Sequence, residues 1–336
     1  MGVRVAVIGA GIMGGDHVRI LAEDLPGANL QVVCDADENR ARSIGETFGA
    51  ADIATDPAAT IQRKDVDAVL IASPDETHAD QALAAIGAGK PVLCEKPLAP
   101  TAQDCLRIVE AEVKIQKRLV QTGFMRRFDQ PYIEMKAALD SGALGNAVIM
   151  HNFHRNVAAP HWLTGQMAIS NSATHEFDIV RFVLGTEYRA ITTFQGEKEE
   201  GVAPVMMVLE TAKGQIVSIE VNNNAAYGYE VRGELAGEKG SIDLATPVHT
   251  KFNAALQSAK RFAEDWRPRF ADAYRLQSKA WLKSIETGIP APNAAFAWDG
   301  YCATVTAGAG VKSLVSGVRV AIETNDMPQL YTRSAG

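Results

Sequence analysis

The feature that most restricts this chain is a glycine pattern, Gly9-Ala10-Gly11-Ile12-Met13-Gly14, set between an apolar run and a helical run. Arg4 to Ile8 reads as a strand and Ile12 to Glu23 as a helix. At such a junction the glycines allow a tight turn, a close approach of backbone to pyrophosphate, and close helix–strand packing. The helix start adds free N–H groups and a partial positive charge. Alone, the pattern is weak, because glycine-rich turns also serve as plain connections. Its neighbours strengthen it. Leu30 to Cys34 reads as a second strand that runs into Asp35, the place from which an acid hydrogen-bonds an adenosine ribose. Asp35 also reads as a helix or turn cap, and the glycines favour the ribose role. A carboxylate there repels a 2′-phosphate, so NAD is expected over NADP. Arg40 and Arg42, farther on, are expected to face solvent along the next helix.

Short apolar runs continue at Ala68 to Ala72, Pro91 to Leu93 and Leu119 to Thr122. Helical stretches lie between them, at Thr77 to Ala88, closed by Gly89, and at Ala102 to Gln116. Nearly all-apolar strands suit a parallel sheet covered on both faces. Repeated strand–helix units predict an α/β Rossmann fold, a doubly wound parallel sheet, over residues 1–122. At 336 residues, 47% of them apolar, the chain is long enough for a second core. Past Gly123 a helix (Gln130 to Asp140) leads into longer strands, with Met206 to Thr211 and Gln215 to Val221 joined by Ala212-Lys213-Gly214. Tyr227 to Ala236 and Ser241 to Leu244 follow, then helices near Ala271 to Thr287 and Tyr301 to Ser316. Residues 123–336 are therefore expected to form an α+β domain around a mostly antiparallel, open-faced sheet. Its last helices are expected to pack back, and its bare sheet face suggests self-association as a dimer or tetramer.

Two further places carry chemistry. Val92-Leu93-Cys94 runs into Glu95-Lys96-Pro97, at the carboxyl edge where open α/β sheets bind ligands. Ser73-Pro74-Asp75 closes the preceding strand at the same edge. A lysine there can stabilise charge developing on a reacting oxygen; a surface Lys–Glu pair is the bland alternative. Farther on, Asn171-Ser172-Ala173-Thr174-His175-Glu176-Phe177-Asp178 opens a helix with His175 and Asp178 on one face. Histidine, with an ordinary pKa of about 6.5, suits removal of a hydroxyl proton. Ile179 stands where a zinc-binding H-E-x-x-H motif needs its second histidine.

Taken in order, GAGIMG, SPDETHADQALAAIGAGKPVLCEKP and HEFDIVRFVLG resemble the glucose–fructose oxidoreductase / inositol dehydrogenase / rhizopine-catabolism (Gfo/Idh/MocA) family. Within it Gly123 to Asp129, His154-Arg155-Asn156, Tyr227 to Glu230 and Arg269 to Tyr274 are most similar to inositol 2-dehydrogenases. The resemblance implies an NAD-dependent oxidoreductase acting on a hydroxyl of a cyclic polyol, most closely myo-inositol. Lys96 and His175 would be its catalytic pair, with Asn171 beside them and Lys96-Pro97 a cis bond. Arg126, Asn156, Asn171, His175, Tyr229 and Tyr274 would bind substrate. The cofactor set would be Gly9, Gly11, Ile12, Met13, Gly14, Asp35, Ser73, Pro74, His78, Glu95 and Lys96. Read blandly, Tyr229 and Tyr274 are half-buried packing residues and Arg126 is an ion-pair partner. One residue departs from the pattern: Asn171 stands where inositol dehydrogenases usually carry an aspartate. Asparagine hydrogen-bonds but brings no charge beside the histidine. Arg275-Leu276-Gln277 is also less acidic than in those enzymes.

Two other functions remain open at this point: a dehydrogenase of an aldose or anhydrosugar, and a sugar or nucleotide sensor that has lost catalysis. The net charge of −7 gives nucleic acid or an anionic membrane no purchase. No apolar run approaches the roughly 20 residues of a membrane span. The four cysteines (Cys34, Cys94, Cys105, Cys302) have no close spacing of a metal site. Cys34 and Cys94 close strands and are expected to be buried. A cytoplasmic protein is expected, with no metal.

Overall fold

A computed structural model describes residues 2–245 and 251–332. The chain divides into two compact units. Among the described residues, one comprises 2–128, 272–304 and 325–332, the other 129–245, 251–271 and 305–324.

The first unit is built on six parallel strands in the order β3-β2-β1-β4-β5-β6. They are β1 (Val3–Ile8), β2 (Ala28–Cys34), β3 (Asp52–Ala54), β4 (Ala68–Ile71), β5 (Val92–Cys94) and β6 (Val120–Thr122). Val5 to Ile8, Val32 to Cys34, Ala68 to Ile71 and Val92 to Cys94 are all at most 1% exposed. Strands buried on both faces leave no alternation to read, which is why these runs are apolar throughout. The connecting helices are α1 (Ile12–Arg19), α2 (Glu38–Thr47), α3 (Pro57–Gln62), α4 (His78–Gly87) and α5 (Ala102–Ile115). After Arg19, α1 widens into a π-turn over Ile20–Asp24. Side chains of Asp37, Asp56 and Thr101 cap α2, α3 and α5. Gly89, at φ +70°, leaves α4 in the left-handed conformation expected of its closing glycine. This is the doubly wound sheet predicted from the sequence. The Lys96–Pro97 bond is cis, and Cys34 and Cys94 are fully buried.

The second unit carries α6 (Gln130–Asp140), β7 (Ala147–Arg155), α7 (Gly165–Met167), α8 (Thr174–Leu184), β8 (Tyr188–Gln195), β9 (Val205–Thr211), β10 (Ile216–Asn222), β11 (Glu230–Gly237) and β12 (Ser241–Asp243). A small ribbon, β13 (Lys251–Ala254) with β14 (Gln257–Lys260), follows. Helices α9 (Trp266–Thr287) and α10 (Ala297–Ser316) each contribute residues to both units, ahead of β15 (Val320–Ala321) and α11 (Gln329–Thr332). The sheet runs β12-β11-β7-β10-β9-β8-β15 and is antiparallel except between β7 and β10. Alternation is clean here: Val217, Ile219 and Val221 are buried while the residues between them are partly exposed.

Three boundaries move by three residues or more from the sequence reading, one of them the start of α10, at Ala297 rather than Tyr301. The strand expected from Tyr227 begins only at Glu230, because Gly228 sits at φ +149° with Phe262 packed where a Cβ would be. Helix α9 starts five residues earlier than expected, at Trp266. Pro268 lies in its first turn, where the missing N–H is harmless.

Candidate active site

In the first unit the glycine turn fits a dinucleotide. Gly9 has φ +93°, and a Cβ on it would fall 2.5 Å from the Ala72 carbonyl oxygen. A Cβ on Gly14 would strike the Gly9 carbonyl, whereas at Gly11 it would meet nothing within 4 Å. Two glycines are thus required by the fold itself, and the third faces open space at the start of α1. That helix has Gly11 at its N-cap and no side chain capping it, so its first N–H groups remain to be satisfied from outside. Ile12 beside it is 76% exposed, and Met13 is half-buried.

Asp35 is buried at the end of β2. Its Oδ2 accepts the Ala10 N–H at 2.7 Å, and its Oδ1 accepts the Asp37 N–H at 2.9 Å. The cap reading is therefore realised in part: the carboxylate is fastened to the glycine turn. Arg42 does lie along α2 as expected, paired with Glu38 at 2.6 Å. Arg40 is exposed as expected too, with its side chain 52% accessible, and its Nη1 lies 3.4 and 3.5 Å from the two Asp35 oxygens.

The carboxyl edge of β4 and β5 is tied together by His78. Its Nε2 lies 2.9 Å from the Ser73 carbonyl and its Nδ1 2.8 Å from the Pro97 carbonyl. His78 is 1% exposed, so it braces the turn from beneath. Pro74 is exposed, and the Ser73 hydroxyl meets Thr77 and Gln81.

Lys96 is half-buried beside a buried Glu95. Glu95 Oε2 accepts the Lys96 N–H at 3.2 Å, while Oε1 lies 2.7 Å from His17 Nε2 on α1. A buried carboxylate is costly without such partners. His17 in turn meets the Tyr274 ring edge-on at 5.7 Å. Gly123 presses within 3.1 Å of Glu95 at its Cβ position, three residues before the buried Arg126. Arg126, Tyr274, Glu95 and Lys96 are thus grouped around β5 and β6. His17 escaped the sequence reading; the signal available was a histidine inside an otherwise apolar helix face.

In the second unit the predicted residues converge on the start of α8. Asn171 lies in a π-turn, Ala168–Ser172, whose following residues open α8 with His175 in its first turn. Asn156 Nδ2 donates to Asn223 Oδ1 at 2.6 Å, and Asn223 meets the Ser172 hydroxyl at 3.4 Å. Tyr229 packs edge-on against His154 at 6.0 Å, and His154 Nδ1 lies 3.2 Å from Glu176 Oε2. Two routes thus carry Asn156 and Tyr229 to the same helix turn as His175. Tyr229 and Tyr274 are 5% and 3% exposed, buried rather than half-buried. Asn223 and Glu176 were missed, since one asparagine in Asn222-Asn223-Asn224 carries no signal. Among the described residues, no cluster of His, Cys, Asp or Glu is placed to hold a metal.

The chain is similar to known proteins over both units. Residues 3–124 match the oxidoreductase family described as an NAD-binding Rossmann fold, and residues 132–243 match the GFO/IDH/MocA C-terminal domain. Inositol 2-dehydrogenase 1 of Saccharopolyspora erythraea is 46% identical, over 98% of this chain and 99% of that protein. The inositol 2-dehydrogenase/D-chiro-inositol 3-dehydrogenase of Shouchella clausii is 39% identical, over 100% of this chain and 98% of that one. The crystal structure of myo-inositol dehydrogenase from Lactobacillus casei with NAD(H) and myo-inositol superposes with a TM-score of 0.92. It is 31% identical and covers 99% of this chain and 100% of that one.

Proposed function

Because the chain belongs to the GFO/IDH/MocA oxidoreductase family, we propose that it is an NAD-dependent dehydrogenase of a cyclic polyol, oxidising a secondary hydroxyl of myo-inositol or a related inositol. One observation carries the reading: a chain similar over nearly its full length to inositol dehydrogenases keeps both a glycine cradle and a hydroxyl-recognising cluster around His175. Residues 1–122 serve as the NAD-binding part and 123–336 as the substrate-binding and oligomerisation part.

The dinucleotide is held by Gly9, Gly11, Ile12, Met13, Gly14, Asp35, Ser73, Pro74, Glu95 and Lys96, over the brace that His78 provides. Bound there, NAD would supply the acceptor for the hydride of the carbinol carbon. His175 takes the hydroxyl proton. The Lys96 ammonium stabilises negative charge on the same oxygen as the C–H bond breaks. Glu95, held by His17, fixes the backbone from which Lys96 extends. Asn171 hydrogen-bonds a hydroxyl without adding charge beside His175. Arg126, Asn156, Tyr229 and Tyr274 bind the remaining hydroxyls and the apolar ring face.

The outward face of the second unit's sheet supports self-association into a dimer or tetramer. Phe194 pairs with Met206 there, both well exposed, and Ile216 is exposed farther along the sheet, opposite Glu210. We place the protein in the cytoplasm, which buried cysteines that read as small core residues support. Among the described residues, no helix is long and apolar enough to cross a membrane.

The test is formation of reduced nicotinamide from NAD with myo-inositol, scyllo-inositol, glucose, xylose or levoglucosan. Turnover with an inositol is expected, and Lys96→Ala is expected to lower it about 10³-fold while NADH still binds. Turnover with a sugar alone would move the substrate and keep the mechanism. Undiminished turnover in Lys96→Ala would refute the assignment of Lys96.

A further inference from the structure

We propose that Arg40 is a specificity-determining residue for the cofactor: it weakens the rejection of a 2′-phosphate by Asp35 and so gives the site a measurable affinity for NADP beside NAD. The proposal rests on the reading of Asp35 as the residue beside the adenosine ribose.

The argument begins with charge. An acid at the end of the second strand excludes NADP because carboxylate and phosphate repel, and an arginine nearby can instead receive that phosphate. Here both are present and in contact. The Asp35 carboxylate is immobilised, with one oxygen on the Ala10 N–H and the other on the Asp37 N–H. The guanidinium is held loosely by comparison. Arg40 Nη1 lies 3.4 and 3.5 Å from the Asp35 oxygens, and its Nη2 lies 3.5 Å from Asp37 Oδ2.

These are long contacts, and the Arg40 side chain is 52% exposed. The side chain is free to turn toward an arriving phosphate without leaving a buried group unpaired. Its planar fork of N–H donors matches phosphate geometry.

The neighbouring charges favour the same reading. Arg42, the other arginine of α2, is taken up by Glu38 at 2.6 Å and Glu46 at 3.7 Å. Among the described residues, the carboxylates in contact with Arg40 are those of Asp35 and Asp37. Two carboxylates against one guanidinium leave one net negative charge, so NAD remains the preferred dinucleotide. The residual repulsion is that of a half-compensated pair, weaker than that of a lone aspartate.

The experiment titrates NADH and NADPH into the purified full chain by fluorescence and compares the ratio Kd(NADPH)/Kd(NADH) among variants. Binding alone is read, so the identity of the polyol does not enter. In Arg40→Ala the ratio is expected to rise about tenfold, equivalent to about 1.4 kcal/mol. In Asp35→Ser it is expected to fall until NADPH binds at least as well as NADH. Adding Arg40→Ala to that variant should remove the gain. Arg42→Ala should leave the ratio at its starting value. A ratio that Arg40→Ala leaves unchanged in both backgrounds would overturn the proposal. A ratio insensitive to Asp35→Ser would overturn the ribose role of Asp35 and the proposal with it. Failure of either dinucleotide to bind the unaltered chain would instead overturn the cofactor reading as a whole.

Discussion

The residues proposed for the dinucleotide and those proposed for the polyol are held by different means. In the first unit, main chain sets the positions: Gly9 and Gly14 are packed against backbone, and Asp35 and Glu95 each accept a backbone N–H. In the second unit, side chains from distant segments do the work. Asn156 on the end of β7 reaches the start of α8 through Asn223, and Tyr229 reaches it through His154 and Glu176. A site fixed by backbone demands glycines at set spacing and tolerates little else. A site fixed by side chains can be retuned one residue at a time. The first design suits a cofactor shared by many enzymes, the second a substrate that varies.

The sharpest way to break this contrast is Gly11→Ala. Gly11 has φ −68°, which alanine adopts freely, and its Cβ would meet nothing within 4 Å. The fold should be indifferent, with the thermal midpoint unmoved. The added methyl nevertheless stands where pyrophosphate must approach, and NADH affinity is expected to fall at least about a hundredfold, or about 2.7 kcal/mol. An NADH titration beside a melting curve checks both halves. Full affinity in this variant would show that the turn is a mere connection.

The matching change in the second unit is Asn223→Ala. It removes the amide between Asn156 and Ser172, leaving neighbouring polar groups short of a partner at about 1–3 kcal/mol. If side chains alone align this cluster, the KM for the polyol should rise about tenfold while NADH affinity stays constant. Steady-state kinetics and the same titration separate the two. An unchanged KM would mean that the backbone of the π-turn, rather than the asparagine relay, positions Asn171 and His175.

The same contrast explains what the sequence disclosed. GAGIMG and the Asp35 that follows could be read directly, because a backbone-built turn admits only glycine at Gly9 and Gly14. The parallel sheet was equally plain, since strands buried on both faces must be apolar. Lys96, His175 and Asn171 were legible only through resemblance: a lysine after a strand or a histidine near a helix start has many bland explanations. His17, Asn223 and Glu176 could not be found at all. Their role lies in a partner 78, 67 or 22 positions away, and no local pattern marks such a pairing. The long contacts of Arg40 to Asp35 and Asp37 likewise form only in the folded chain.

A smaller effect tests whether the first unit also relies on a buried side-chain contact away from the proposed site. Glu112, at the end of α5, is fully buried and accepts the Val120 N–H at 2.6 Å, the Leu119 N–H and the Tyr331 hydroxyl. It thereby fastens the last described segment of the chain to this unit. Burial pushes its carboxyl up from 4.5 to about 7, against the pull of those donors. Between those two values the folded chain holds a proton that the unfolded chain releases. The stabilisation is therefore complete below about pH 4.5 and is lost as pH rises through about 7. At most it amounts to about 3 kcal/mol, enough to lower the thermal midpoint by a few degrees between pH 5 and pH 8. Glu112→Gln keeps the hydrogen-bonding shape without the titration, so its midpoint should decline less over the same range. Parallel melting curves for the two proteins give the difference directly. Identical pH dependence would mean that Glu112 stays ionised in the fold and that its three donors outweigh burial.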